Sequence, residues 1–285
     1  MMIAMTVRNL KIYFSNKTNL FFSLLGSLIV FFLYLLFLRK TMLDRVTDLA
    51  QGAVLMDLWL VGGLLAVTGW TTSFSALGQL VKDKAENKFM DLSLSELSPF
   101  NLLLSYFMSS FLIAMSMQLI IGGLALSYFM SFETLPLVGS DFIQLCGGIV
   151  LTAFTATALN LVICSFVKSE ITLRALTSML GAVSGFLCTA YIPIGGFSEL
   201  AVTVIKAFPL SYGASLFRRI LVMPELTQLD NAQANALKEY LGIGYLWQEQ
   251  LSTGRFDILY LSFSASLCLF VLFLMSKKLM QVTFA

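Results

Sequence analysis

Seven charged side chains crowd into residues 81–99: Lys82, Asp83, Lys84, Glu86, Lys88, Asp91 and Glu96, a short island between two long apolar runs. These charges cannot lie in hydrocarbon without large cost, so the island must sit in water. As a helix, the island sets Val81, Ala85, Phe89 and Leu92 along one side and Asp83, Asn87 and Asp91 along another. That is the pattern of a short amphipathic helix held at a membrane surface and able to press on a soluble partner. The competing reading is a solvated loop whose charges only fix topology. The residue types that bond chemistry needs are scarce. Histidine is absent, which removes the commonest general base and metal ligand. No Gly-x-x-x-x-Gly-Lys-Ser/Thr occurs, so the chain has no P-loop of its own. Cys146, Cys164, Cys188 and Cys268 all fall in apolar runs and read as small buried hydrophobes, not as disulfide or metal partners.

The elements that must carry this island are membrane spans. Of the 285 residues 58% are hydrophobic and 12% charged, with a mean hydropathy of +0.86, which places the chain among polytopic membrane proteins. A net charge of +2 with no basic tail carries no message for nucleic acid. Residues 2–18 repeat Ile3, Val7, Leu10 and Phe14 at helical spacing, with Arg8, Lys11, Ser15 and Lys17 facing elsewhere. This reads as an interfacial amphipathic helix lying among the headgroups. The apolar run after it is a full span rather than the short core of a cleavable signal peptide. Six segments are long enough to cross roughly 30 Å of hydrocarbon, near 19–38, 54–80, 101–130, 142–167, 173–193 and 257–276. Each must be a helix, because lipid offers no partner to a free backbone group.

Basic residues in the short connections set orientation. Arg8, Lys11 and Lys17, then Lys82, Lys84 and Lys88, then Lys168 and Arg174, and finally Lys277 and Lys278 collect on one side. The expectation is an all-α, six-span protein with both termini and the 81–99 island in the cytoplasm. The last external connection is unusual. Pro193 and Gly195-Gly196 precede an apolar run to Phe208, and Pro209 opens a second run through Arg218-Arg219. Each run is too short to span, so 194–222 reads as a re-entrant helical hairpin hinged at Pro193 and Pro209. Residues 223–256 read as an external segment with a short helix around 231–241.

Three motifs, in order, resemble the membrane subunit of an ABC-2 type transporter: Arg8-Asn9-Leu10-Lys11 with Tyr13-Phe14; Asp83-Lys84 followed by Asp91-Leu92 and Ser98-Pro99; and Tyr191-Ile192-Pro193 through Phe208-Pro209-Leu210-Ser211-Tyr212 to Arg218. Phe208 stands where many such proteins carry Asn, and 224–256 exceeds the minimal pattern. Both departures leave the substrate class open. The resemblance implies an exporter permease in the cell membrane, the plasma membrane of a bacterium, in which two copies of this chain pair and each sits on one of two ATP-binding subunits. ATP and Mg would belong to that partner, and this chain would carry no cofactor. The 81–99 segment would be the coupling helix, with Lys82, Asp83, Lys84, Glu86, Phe89, Asp91 and Leu92 at the ATPase, and Lys168 and Glu170 would make a second contact.

Family analogy lines the pathway with the first, second and fifth spans of both copies. Thr68, Thr72, Ser75 and Gln79 form one stripe, and Thr177, Ser184 and Cys188 with Gly181 and Gly185 form a small-residue strip. The plain alternative is helix packing with hydroxyls bonded to the preceding turn. Walls of Phe, Leu, Met, Ser and Thr suit a hydrophobic or amphipathic cargo such as a drug, a toxin-like peptide or a lipid, and suit a small hydrophilic ion poorly. The rival readings are an ion-coupled secondary transporter or channel, which wants intramembrane carboxylates, broken helices or a filter, and an intramembrane enzyme acting on lipid, which wants converging acids or metal ligands.

Overall fold

The computed structural model describes residues 2–44, 51–86, 88, 99–227, 229–247 and 250–281. Helix α1 (Met2–Ser15) precedes α2 (Lys17–Leu43), where Asn16 caps the turn by accepting from the Asn19 N–H at 2.9 Å. Then come α3 (Gly52–Ala85), α4 (Pro99–Met130), α5 (Gly139–Phe166) and α6 (Glu170–Leu187). A bent pair, α7 (Glu199–Ala207) and α8 (Pro209–Leu226), leads to α9 (Asn231–Leu241), a small hairpin of β1 (Leu246–Trp247) and β2 (Gln250–Leu251), and α10 (Gly254–Gln281).

Among the described residues five helices are long and apolar enough to cross a membrane: α2, α3, α4, α5 and α10. A sixth span exists only if the α7–α8 pair counts as one. The expected span at 173–193 is a shorter helix, Glu170–Leu187, ending before Cys188. Its 18 residues reach about 27 Å, and its apolar content is diluted by Glu170 and Arg174. The region expected as a re-entrant hairpin at 194–222 holds two helices that meet at 90°, the geometry of a re-entrant loop or of a broken span. Pro209 begins α8 at its first turn, where a missing N–H costs nothing.

Helix α3 is the axis of the molecule. Every residue from 55 to 70 is buried, and α2, α4, α5, α6 and α8 all pack on it. A helix apolar on every side has this place available to it, whereas α2 and α10 bury only one stripe and leave Phe21, Phe32, Phe263 and Phe270 exposed. Close approach to α3 is made through glycine. A Cβ on Gly62 would stand 2.7 Å from Arg218 Cγ and 2.9 Å from its backbone nitrogen, and one on Gly63 would stand 2.9 Å from Ala190 Cβ.

Helix α1 packs against the protein by a face different from its apolar stripe. Met5, Asn9 and Tyr13 are buried, while Ile3 remains 74% exposed and Val7 and Phe14 are exposed too. An apolar stripe turned away from the protein is what a helix resting on lipid presents.

Gly62→Ala should therefore destabilise the protein by about 1–3 kcal/mol, the usual cost of overpacking. Gly123→Ala on α4, where a Cβ meets nothing within 4 Å, should leave the unfolding midpoint in detergent unchanged or slightly raised.

Candidate coupling and transport site

One end of the bundle brings the described start of the 81–99 segment beside the turn that carries Lys168. The Lys84 ammonium donates to the Ser165 carbonyl at 3.1 Å, in the last turn of α5. The final turn of α3 thus lies beside the short 167–169 turn, where Lys168 and Ser169 are exposed. A cation at a helix C-terminus also meets the negative end of its dipole. Phe100 at the start of α4 packs edge-on against Phe273 near the end of α10 at 5.9 Å, bringing the last span to this end as well.

Asp83 sits inside this end rather than on it. Its side chain is fully buried and takes a two-pronged pair from Arg8 of α1, at 2.8 and 3.1 Å. Tyr106 of α4 donates to it at 2.5 Å and Gln79, one turn back on α3, at 2.8 Å. Four donors neutralise a carboxylate that would otherwise be costly to bury. In turn, the Asp83 hydrogen bond holds the Arg8 guanidinium more firmly charged than usual. Asn9 adds a 3.4 Å bond to Ser109, and Tyr13 shares a 2.6 Å bond with Ser23 of α2. The amphipathic helix is welded to α2, α3 and α4 by polar groups.

The separate amphipathic helix read over 81–99 needs correction where it is described. Residues 81–85 continue α3, Val81 faces the core and Ala85 faces out, so the two do not share one docking stripe. Helix hydrogen bonding simply runs past the apolar segment because nothing in Val81-Lys82-Asp83-Lys84 breaks it. Lys82 is half-buried, and Glu86 and Lys88 are exposed and paired with each other. Phe89, Asp91 and Leu92 lie outside the described residues. Glu170 pairs with Arg174 one turn on, at 3.2 Å.

The expected pathway stripe divides. Thr68 and Thr72 are fully buried; Thr68 shares a 2.8 Å bond with Ser27 of α2, and Thr72 donates to the Thr68 carbonyl at 2.6 Å. Ser75 reaches Asn19 at 3.4 Å, and Gln79 serves Asp83. Thr68 and Ser75 tie α3 to α2, whereas Thr72 and Gln79 bond within α3 itself. Ser184 and Cys188 are buried as well. Thr177 and Gly181 instead line a cleft of ≈ 640 Å³ between α2 and α6, with Phe22, Phe37, Phe186 and Tyr191 among its walls.

The opposite end carries polar clusters that the sequence reading missed. Asp57, buried in the second turn of α3, accepts from Tyr34 at 2.6 Å and from Arg39 at 3.0 and 2.8 Å. Residues 34–38 form a π-helical turn, closed by the Arg39 N–H on the Tyr34 carbonyl. The wider turn brings residues five apart onto one side, so Tyr34 and Arg39 can share one carboxylate. Arg39 also bonds Glu133 at 2.9 Å, and burial pushes the Glu133 carboxyl above its ordinary range.

Arg218, read as the end of an external run, is wholly buried with no carboxylate partner among the described residues. It donates to Thr189 Oγ1 at 2.5 Å and to the carbonyls of Thr189, Cys188, Trp59 and Leu241 at 2.9–3.4 Å, and stacks 4.6 Å from the Trp59 ring. Two of those carbonyls close α6 and α9, so helix C-terminal dipoles and the ring face stand in for a counter-ion. Thr189 is held at φ 49°, an outlier for a β-branched residue. Pro193, buried beyond this knot, leads into the 194–196 turn. Asp257 of α10 is bound by Ser215 and Ser252 at 2.8 and 2.9 Å. Cys146, read as buried, faces outward on α5.

Five to six apolar helices packed round a buried axis define a multi-pass membrane protein. Residues 2–222 match the ABC-2 type transporter family, and the chain belongs to it. It is the permease of an ABC transporter, a transport subunit whose ATP hydrolysis falls to a separate ATP-binding subunit. The resemblance carried by the three motifs is borne out. No curated protein and no solved structure matches the chain.

Tyr106→Phe should lower stability by about 1–3 kcal/mol, because it removes one donor from a buried carboxylate. Asp83→Ala should cost more, since it strands the Arg8, Gln79 and Tyr106 donors at once. Thermal unfolding in detergent compares the two, and a Tyr106→Phe midpoint equal to wild type would contradict the arrangement.

Proposed function

We propose that this permease exports a hydrophobic or amphipathic cargo from the cytoplasm or inner leaflet, as two copies seated on two ATP-binding subunits. The observation that supports this most is the convergence of α1, the last turn of α3 and the 167–169 turn at one end, all joined through Asp83 and Lys84. In this reading that end is cytoplasmic, both termini lie on that side, and the ATPase meets Glu86, Lys168 and the 87–98 segment, with Phe89, Asp91 and Leu92 as its apolar and acidic contacts.

Asp83 then acts as an internal link instead of a contact. Movement of the ATPase would pass through Arg8, Asp83 and Tyr106 into α1, α3 and α4 together. Helix α3, with 34 residues and about 51 Å of length, would carry that movement to the Arg218 knot at the far end. The cargo path runs along the α2–α6 cleft, where Thr177 offers a polar group among Phe22, Phe37, Phe186 and Tyr191. An aromatic wall with few polar groups favours greasy cargo over ions. An ion-coupled carrier is disfavoured because Asp57, Asp83 and Asp257 are each committed to donors and none lines the cleft.

Co-purification with an ATP-binding subunit from mild detergent, followed by vanadate-sensitive ATPase activity in lipid, tests this. Charge reversal at the exposed Glu86 and Lys168 should reduce stimulated hydrolysis several-fold while membrane insertion is unchanged. A chain that purifies alone and transports without ATP would refute the proposal.

A further inference from the structure

From a second cleft, away from the α2–α6 cleft, we infer that the permease holds a resident glycerophospholipid, distinct from its cargo, against α5, α8 and α10. This cleft has a volume of ≈ 790 Å³ and lies at the end of the bundle opposite Arg8 and Asp83. Its wall changes character along its length, as a phospholipid does. Arg219, Arg255 and Asp141 stand where α8, α10 and α5 meet the headgroup level, and Leu151, Leu216 and Ile258 supply the apolar part. Along α5, Asp141 and Leu151 are separated by about 15 Å of helix, enough to carry the seat from headgroup into acyl chain.

The charge favours a phosphate. Arg255 is exposed and has no ion pair among the described residues. Arg219 donates to the Ser252 carbonyl at 2.8 Å and stands 3.6 Å from Asp257, a carboxylate already bound by two serines, and its Nε finds no acceptor among the described residues. The two guanidiniums are therefore incompletely neutralised, and guanidinium is the group that matches phosphate oxygens. Asp141, on the α5 rim, repels a bare anion but suits the ammonium of an aminophospholipid. Its carboxylate also accepts the Val138 N–H at 3.0 Å, which fixes it on that rim.

Two glycines keep the seat open. A Cβ on Gly147 meets nothing within 4 Å, so that position faces the cleft, and Gly254 lets the Arg219 side chain lie close, 3.1 Å from where its Cβ would be. The cleft opens beside Ile143, Val150, Ile258 and Leu259, exposed apolar residues of two membrane-spanning helices. An occupant arriving there comes from the bilayer. The inference rests on the membrane-spanning character of α5 and α10, and not on the direction of transport or the cargo.

Delipidated permease is titrated with phosphatidylethanolamine and, separately, with the headless diacylglycerol of the same chains, and bound lipid is counted by native mass spectrometry. Wild type should bind phosphatidylethanolamine about tenfold more tightly than Arg255→Gln, the size expected for one charge-assisted contact. Gly147→Phe, which fills the acyl part, should weaken binding to a similar degree, and diacylglycerol should bind poorly to all three. Arg255 is exposed and Gly147 faces open space, so matched unfolding midpoints verify that both variants fold. Unchanged binding in either variant, or diacylglycerol binding equal to that of phosphatidylethanolamine, overturns the inference.

Discussion

Burying charge at both ends of one helix enclosed along most of its length is the constraint on which this structure depends. Asp57 and Asp83 stand about seven turns apart on α3, roughly 39 Å, a spacing that brackets a hydrocarbon layer of about 30 Å. Neither carboxylate could be buried alone. Each therefore recruits an arginine and a tyrosine from neighbouring elements: Arg39 and Tyr34 of α2 at one end, Arg8 of α1 and Tyr106 of α4 at the other. The result is a helix pinned twice, with the apolar core between the pins fixed in register. Next to the first pin, Arg218 closes the far end by drawing the ends of α6 and α9 onto itself.

This arrangement separates two duties within a single chain. The middle of α3 packs, and its hydroxyls bond backward or to α2. In the proposed reading the guest is admitted instead between α2 and α6, where a cleft opens and Phe32, Leu36 and Met179 are exposed. In the proposed mechanism the buried axis would pass a push from one end to the other while the α2–α6 cleft opens or closes. Packed interiors transmit such displacements because they are dense and barely compressible.

Much of the fold was legible in the sequence because lipid imposes simple rules. Length and hydropathy located α2, α3, α4, α5 and α10, and asparagine and serine signals lie where α2 and α6 begin. Helix α6 was overextended because 188–193 is apolar, yet its backbone turns at Thr189 to feed carbonyls to Arg218. The site was less legible. Asp83 stands out in the charged island, but a charged residue at a span end reads as solvated unless its partners are known, and Arg8 and Tyr106 lie far away in the chain. Arg218 could have been suspected from an arginine following Tyr212, Leu216 and Phe217, and the Gly62-Gly63 pair that admits it carried no sign of its target. The stripe of Thr68, Thr72, Ser75 and Gln79 was visible, while its direction, inward, depended on which helices surround α3.

The claim at the centre of this account is that the end bearing Arg8, Asp83 and Lys84 is the one that receives the ATPase. Hydrogen–deuterium exchange on the permease with and without the ATP-binding subunit measures this most directly. The account predicts new protection in 81–86, in 167–170 and along α1, with 131–138 and α9 unchanged. Protection confined to 131–138 and α9, with the Arg8–Asp83 end exchanging as freely as before, would contradict it.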